Sequence, residues 1–250
     1  MDTLITAFFF LYGLALGSFL NVVIYRLPLR LPIAKGRSMC TACGTVLKAR
    51  DLIPILSFAF LKGRCRYCGE SISFRYPLVE LLTGLIFAMC HMFFGLTAKA
   101  FILCVFAFIL IAAAFIDIDH RFIPDRFSIA IALLGIISSF TDPSVSLQSR
   151  LAAALSVGGF MLAVSLITKG GIGGGDIKLF FASGLLLGLK LNILSFMLGY
   201  FFAGICMIIP YMLKKLPKNY EVPMVPFFAS AFMFSVFWGN SLISWYLSFF

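Results

Sequence analysis

Long apolar segments alternate with shorter polar ones along most of the chain. The apolar segments cover approximately residues 4–25, 77–94, 99–116, 127–140, 150–167, 177–189, 191–213 and 226–249. About 20 apolar residues allow a helix to cross the ~30 Å hydrocarbon core of a bilayer, so the fourth and sixth segments are short. The pattern predicts an all-α polytopic membrane protein with about eight transmembrane helices, or seven because the break near residues 190–192 is weak.

A polar, basic segment follows the first apolar run and divides the chain into three predicted parts. Residues 1–26 are expected to form the first transmembrane helix, 27–75 a small cytoplasmic domain, and 76–250 a transmembrane core. With 62% hydrophobic and only 12% charged residues, the composition excludes an ordinary soluble domain. No basic residue precedes the first apolar run, so we expect that helix to be retained rather than removed as a signal peptide.

The basic residues are distributed unevenly between the loops on the two sides of the membrane. The net charge is +10, and ten of the twenty Lys and Arg residues lie between Arg26 and Arg75. Seventeen of the twenty fall in alternate loops, including Lys214, Lys215 and Lys218, whereas Lys99, Arg150 and Lys190 fall on the other side. The positive-inside rule then places the polar domain in the cytoplasm and both termini outside. This topology explains the basic charge without nucleic acid.

Two cysteine pairs with identical spacing lie in the polar segment. Cys40 and Cys43 form one CxxCG motif, and Cys65 and Cys68 form the other. Four thiolates in such pairs can surround Zn²⁺ tetrahedrally, and a site filled by four cysteines leaves no open position for catalysis. The sequence therefore predicts a structural zinc site in a zinc-ribbon-like domain. Thiol redox chemistry or disulfides are the alternative, which a cytoplasmic location disfavours.

Acidic residues are scarce, yet three of them fall within nine positions around the end of the third apolar segment. Asp117 still belongs to that segment, whereas Asp119 lies about 200° further round a helix and should point away. A salt bridge to Arg121 or Arg126 is the structural alternative for Asp119. Asp125 follows a proline and precedes the fourth apolar segment, which predicts an N-cap.

A glycine run ends in a further aspartate, Asp176. Residues 170–175 contain five glycines, of which the last three are Gly173, Gly174 and Gly175. Glycine allows close approach of the backbone, and the topology places Asp117 and Asp176 on the same side of the membrane. Two facing carboxylates do not both ionise cheaply, so one keeps a proton while the other takes one from water. The two aspartates are a candidate catalytic dyad, with a proton or cation pathway as the alternative.

Four features together resemble the bacterial type IV prepilin peptidases. They are GSFLNVVIYRLP at 17–28, the paired CxxC motifs, DIDHRFIPD at 117–125 and GGGD at 173–176. The last is a GxGD signature, which is weak alone but specific in this combination and order. The features are spread over most of the chain.

The resemblance implies an aspartic endopeptidase that removes the basic leader of prepilins or pseudopilins at the cytoplasmic face of the bacterial inner membrane. Such enzymes serve type IV pili and type II secretion. By the resemblance, Asp117 and Asp176 are catalytic. The site-supporting residues it implies are Gly173, Gly174, Gly175, Asp119 and Asp125. A prepilin or pseudopilin and the lipid bilayer are the expected partners.

The resemblance also implies a second activity and its methyl donor. Family members with the cysteine pairs N-methylate the new N-terminal residue by using S-adenosylmethionine. No glycine-rich nucleotide loop of the Rossmann type is visible in this chain. Gly63-Arg64 and residues 75–80 are candidate segments for the donor, whose site stays unassigned.

Two other classes of function are compatible with parts of the pattern. A proton- or cation-coupled transporter would use the carboxylates as a relay, but the acids lie at one face and no inverted repeat is evident. A non-catalytic, zinc-bearing scaffold of a secretion or pilus machine would tolerate loss of both aspartates. Proteolysis of a prepilin distinguishes the three hypotheses.

Overall fold

The computed structural model describes residues 2–34, 36–213 and 221–249. In these ranges the helices are α1 (Asp2–Arg26), α2 (Leu56–Phe60), α3 (Arg75–Phe94), α4 (Ala98–His120), α5 (Asp125–Thr141), α6 (Leu147–Ala153), α7 (Gly159–Ile167), α8 (Gly174–Leu187), α9 (Leu189–Met212) and α10 (Val225–Leu247). A π-helical turn, Ala154–Gly158, joins α6 to α7. The β structure in the described ranges is limited to two isolated bridges, so the all-α class is confirmed there.

Every predicted apolar segment forms helix, but the helices differ in length. Within the described residues six helices are long and apolar enough to cross a membrane: α1, α3, α4, the continuous Leu147–Ile167, α9 and α10. The two short segments become α5, with 17 residues, and α8, with 14. The two segments are separate helices, but the break lies at Gly188, which takes φ +75°, whereas residues 190–192 belong to α9.

The chain forms two compact units, Met1–Ala112 and Ala113–Phe250. In the first unit, α1 and α3 pack closely through small residues. A Cβ added to Gly13 would lie 2.8 Å from the Gly84 Cα, and one added to Gly17 would lie 2.7 Å from the Glu80 Cα. Small residues permit such close contact between membrane helices, where van der Waals packing stabilises association.

In the second unit, α8 packs tightly between the shorter helices. A Cβ on Gly184 would lie 2.6 Å from the Ala154 backbone nitrogen, and one on Gly135 of α5 would lie 2.8 Å from the Leu185 backbone carbon. The Arg150 side chain is 1% exposed and donates hydrogen bonds to backbone carbonyls near the ends of α5 and α8. Close glycine contacts and one buried guanidinium therefore fix α5, α6 and α8 together.

An aromatic cluster joins α8 to α9 and α10. The Phe180 ring centroid lies 4.9 Å from that of Phe228 and 5.0 Å from that of Phe232. Phe196 and Tyr200 of α9 extend the cluster, with ring centroids 5.0 Å apart. Edge-to-face aromatic contacts add about 0.5–1.5 kcal/mol each beyond burial. The cluster thus orients α8, whose first turn carries Asp176.

Candidate active site and metal centre

Asp117 lies near the C-terminal end of α4 and is 7% exposed. Its Oδ2 atom accepts a hydrogen bond of 3.0 Å from the backbone N–H of Val225, the first residue of α10. The first N–H groups of a helix lack intrahelical acceptors, and the Asp117 carboxylate is the acceptor for one of them. Sequence reasoning missed this contact, because a backbone donor more than a hundred residues away leaves no side-chain motif.

Asp176 occupies the first turn of α8 and is half-buried. Its carboxylate interacts electrostatically with that of Asp117 and with the hydroxyl of Tyr200 in α9. The structure therefore brings together the two aspartates that the sequence singled out. A helix N-terminus also favours negative charge, which reduces the cost of a second carboxylate beside the first.

The three glycines before Asp176 differ in what surrounds them. Gly174 and Gly175 are the first two residues of α8 rather than part of a loop. A Cβ on Gly175 would lie 3.1 Å from that of Ile123, just beyond α4, whereas one on Gly174 would meet nothing within 4 Å. A Cβ on Gly173 would lie 3.3 Å from Oδ2 of Asp176. Of these three glycines, Gly175 is the one that lies against another segment of the chain, and earlier in the run a Cβ on Gly171 would lie 2.6 Å from Oγ1 of Thr168.

The other two aspartates are placed differently. Asp119 is exposed whereas Asp117 is buried, as their angular separation on a helix predicts. The N-cap prediction for Asp125 is wrong: Pro124 is the N-cap of α5, and Asp125 is its first residue. The Oδ1 atom of Asp125 instead lies 2.7 Å from Nζ of Lys178. This ion pair links the start of α5 to the first turns of α8, two residues after Asp176.

The four cysteines of the polar segment converge on one point. Their sulfur atoms all lie within 4.8 Å of one another, and the Sγ atoms of Cys40 and Cys68 are 3.9 Å apart. Tetrahedral Zn–S bonds of about 2.3 Å separate sulfur atoms by about 3.8 Å. The cluster could therefore hold a metal ion of this size, since all four sulfurs surround a common point.

The two cysteine motifs share one backbone geometry. In the first, the Gly44 N–H donates to the Cys40 carbonyl at 2.9 Å, and in the second the Gly69 N–H donates to the Cys65 carbonyl at 2.9 Å. Both glycines have positive φ, +69° and +73°, which a residue with a side chain adopts at a cost. The glycine after each motif is thus required by the turn that directs the cysteine pair inward.

Asp51 connects the second cysteine motif to the chain before α2. Its carboxylate accepts hydrogen bonds from Nε of Arg66 at 2.7 Å and from the Tyr67 hydroxyl at 2.8 Å. The backbone N–H of Lys48 donates a third at 3.1 Å. Partial burial raises the pKa of Asp51, but these three hydrogen bonds outweigh it and hold the pKa at about 2, below the ordinary 3.8. Sequence reasoning did not single out Asp51, because its partners flank the cysteines rather than form a motif.

The described residues form two candidate sites with different chemistry, one acid–base and one metal-binding. Two carboxylates on separate helices can act as base and acid toward a water molecule. Four thiolates can fix a small domain around a metal ion. The two functions are carried by different compact units, the metal-binding residues by the first and the aspartates by the second.

Comparisons with known proteins cover nearly the whole chain. Residues 11–94 match the Bacterial Peptidase A24 N-terminal domain, and residues 104–208 match the Type IV leader peptidase family. Among curated relatives, a Bacillus subtilis protein named prepilin leader peptidase/N-methyltransferase is 36% identical over 95% of this chain and 96% of its own length. A Legionella pneumophila protein of that name is 31% identical over 96% of this chain and 93% of its own length. No solved structure matches significantly.

Proposed function

The chain belongs to the bacterial type IV leader peptidase family, and we propose that Asp117 and Asp176 perform its peptidase reaction. The protein is a membrane aspartic endopeptidase that cleaves prepilin leaders, and it N-methylates the new N-terminus. The observation that carries the catalytic assignment is that the carboxylates of Asp117, on α4, and Asp176, on α8, are close enough to interact electrostatically.

The proposed reaction needs one ionised and one protonated carboxyl group. The ionised group removes a proton from water, whose oxygen attacks the scissile carbonyl carbon, while the protonated group donates to the carbonyl oxygen. When the C–N bond breaks, a proton passes to the leaving amine. Because two close carboxylates titrate as a unit, these roles belong to the pair rather than to one residue. The Val225 N–H holds the Asp117 carboxylate in a fixed orientation.

Asp125, Asp119 and the glycines support this site in different ways. The Asp125–Lys178 ion pair and the Gly175–Ile123 contact both fix α8 against the segment that follows α4. An exposed ion pair contributes only about 0–1 kcal/mol, so Asp125 orients the helix more than it stabilises it. Asp119 is exposed and adds negative charge that attracts a basic leader.

The cysteine cluster fits a structural zinc ion. Cys40, Cys43, Cys65 and Cys68 would hold it, and the ion would order residues 27–75, whose described part contains little helix and two isolated bridges. A small segment that buries little apolar surface depends on such a metal for its fold. Four mutually close sulfurs favour one shared ion over two separate disulfides.

The protein is a multi-pass protein of the inner membrane, and we propose an orientation from the charge distribution. Residues 27–75 and the aspartates are assigned to the cytoplasmic side, and both termini to the outside. Four of the basic residues used for this assignment, Lys35, Lys214, Lys215 and Lys218, lie outside the described residues. A prepilin would then keep its basic leader in the cytoplasm while its apolar helix occupies the bilayer.

A cleavage assay with the intact protein tests the function. Purified protein in detergent, incubated with a prepilin and S-adenosylmethionine, should yield a mature chain whose N-terminus carries one added methyl group by mass spectrometry. S-adenosylmethionine supplies the methyl group, and cleavage itself should proceed without it. Acid-driven solute flux in liposomes without any cleavage would instead support the transporter alternative.

A further inference from the structure

The first compact unit contains a cavity of about 660 Å³. Its walls come from the C-terminal half of α1, the start of α3, α2 and the two cysteine motifs. Pockets for ligands of drug size have volumes of about 300–1,000 Å³, so the cavity has room for a nucleoside-sized molecule. The proposed peptidase reaction uses none of the residues that line it.

A buried carboxylate, Glu80, lies in the wall of this cavity. Glu80 is 8% exposed, and its Oε2 atom accepts a hydrogen bond of 2.8 Å from the Ile55 backbone N–H. Ser18 of α1 also interacts with the Glu80 carboxylate and lines the same cavity. Both partners are neutral. A buried carboxylate within a membrane helix is energetically costly, and such groups usually pair with a positive charge or take part in binding or catalysis. The arrangement leaves lone pairs on Glu80 for a cationic ligand.

Aromatic rings line the same cavity. Tyr25, Phe58, Tyr67 and Tyr76 all contribute to its walls. Aromatic faces stack on a planar base such as adenine, and they attract a cation such as a sulfonium group. The four rings match a molecule that carries both a purine and a sulfonium cation, which leaves the Glu80 carboxylate for a second cationic group in the cavity.

The short helix α2 gives the cavity an apolar edge. Its Ser57 and Phe58 line the cavity, whereas Leu56 is 54% exposed and Phe60 83% exposed. An exposed apolar surface of this kind is stable against lipid or against another apolar helix. A substrate whose N-terminus continues directly into an apolar helix could therefore present its first residue to the cavity.

From these observations we propose that the cavity is the methyl-transfer site, with Glu80 as the residue that binds the substrate's N-terminal ammonium. This inference rests on the methyltransferase half of the proposed function, and it assigns that half to residues 18–80. The donor is S-adenosylmethionine, whose adenine packs against the aromatic walls.

The reaction then balances with these groups. At neutral pH an N-terminal amine is mostly protonated and lacks the free lone pair that attack requires. Glu80 accepts one proton from the ammonium. The nitrogen lone pair forms a bond to the methyl carbon as the carbon–sulfur bond breaks, and the electron pair of that bond stays on sulfur, which becomes a neutral thioether.

Two measurements test the site independently of the cleavage reaction. In the first, the wild-type protein is irradiated with radiolabelled S-adenosylmethionine, and the cross-linked peptide is identified by mass spectrometry. The label should lie on residues 18–80, most directly on a cavity ring such as Tyr76. A cross-link on residues 113–250, or none above that of heat-denatured protein, would overturn the proposal.

The second measurement follows both products of a prepilin with Glu80→Gln. Glutamine keeps the shape and an acceptor for the Ile55 N–H, but it cannot take a proton. Cleavage should stay within about twofold of wild type while the methylation rate falls about 100-fold or more, the usual contribution of a general base. Glu221→Gln, at an exposed position, serves as the control and should change neither rate.

The outcomes separate this inference from the proposed function. Normal methylation by Glu80→Gln would overturn the role of Glu80, and so would loss of cleavage together with methylation. If the cross-link maps to residues 18–80 but the wild-type protein cleaves no prepilin, the peptidase assignment fails and the donor site stands.

Discussion

Replacing Arg150 with methionine tests how the second compact unit is held together. The Arg150 side chain is 1% exposed and donates hydrogen bonds of 2.9–3.2 Å. The acceptors are the carbonyls of Ser138, Asp142, Val145, Leu185 and Leu186 and the hydroxyl of Ser138. Most of these carbonyls lie at the ends of α5 and α8, where a helix leaves its last C=O groups without intrahelical partners.

The magnitude follows from what methionine cannot supply. Hydrogen bonds from a charged donor contribute about 1.5–3 kcal/mol each, and a buried acceptor left unsatisfied costs about 1–3 kcal/mol. Methionine also removes the cost of burying the guanidinium, so the net effect is smaller than the sum over all the bonds. We expect the free energy of unfolding to fall by about 3–5 kcal/mol, because several buried carbonyls would be left without a donor.

Thermal unfolding in detergent measures this loss. For a chain of this size 3–5 kcal/mol corresponds to a fall in Tm of roughly 6–20 °C. Lys190→Met is the matched control, because Lys190 is exposed and the same change there should stay within about 0.5 kcal/mol. A Tm for Arg150→Met within about 2 °C of wild type would refute the reasoning, since the carbonyls would then be satisfied without the guanidinium.

Three further changes have definite expected outcomes. Gly184→Ala should lower the Tm by several degrees, because the added Cβ would meet the Ala154 backbone. Gly204→Ala is the control, since an added Cβ there would meet nothing within 4 Å; equal changes in Tm for the two variants would contradict this. Cys65→Ser should lower the bound zinc, measured by atomic absorption, well below one per chain and increase proteolysis of residues 27–75, while wild-type zinc well below one per chain would disprove the site. Asp51→Asn should speed zinc release to a chelator at neutral pH. Because the folded pKa of Asp51 is about 2, its carboxylate stays ionised throughout the pH range in which the cysteine thiolates hold zinc, so the faster release by the variant should persist from about pH 6 to about pH 8; equal release rates of the variant and the wild type would exclude this role.

The hydrophobic pattern was sufficient to predict the helices but not their lengths. All eight apolar segments form helices, because in lipid a single segment can satisfy its backbone N–H and C=O groups only by the hydrogen bonds within a helix. The pattern could not show that α8 starts inside the glycine run, since glycine at Gly174 has low helix propensity and was expected in a loop. Tertiary packing of Gly175 against Ile123 overrides that preference.

The candidate sites were predictable to the extent that they rest on side-chain motifs. The paired cysteines have a spacing that fixes their geometry, and the two aspartates follow from their rarity in an apolar chain. The Val225 N–H on Asp117 was not predictable, because backbone donors carry no residue identity. Charge counting placed Arg150 on the outer side of the membrane, at the start of an apolar segment, but it could not show that the guanidinium is buried, since that depends on which carbonyls converge on it.

The central claim is that Asp117 and Asp176 together hydrolyse the leader peptide bond. The direct test measures prepilin cleavage by Asp117→Asn and Asp176→Asn, each checked for normal insertion and thermal unfolding, with Glu221→Gln as the control. Asparagine keeps the size of the side chain but neither takes nor gives the proton. Both aspartate variants should therefore cleave at no more than about one-hundredth of the wild-type rate while the control stays normal. Cleavage at the wild-type rate by either aspartate variant would contradict the account.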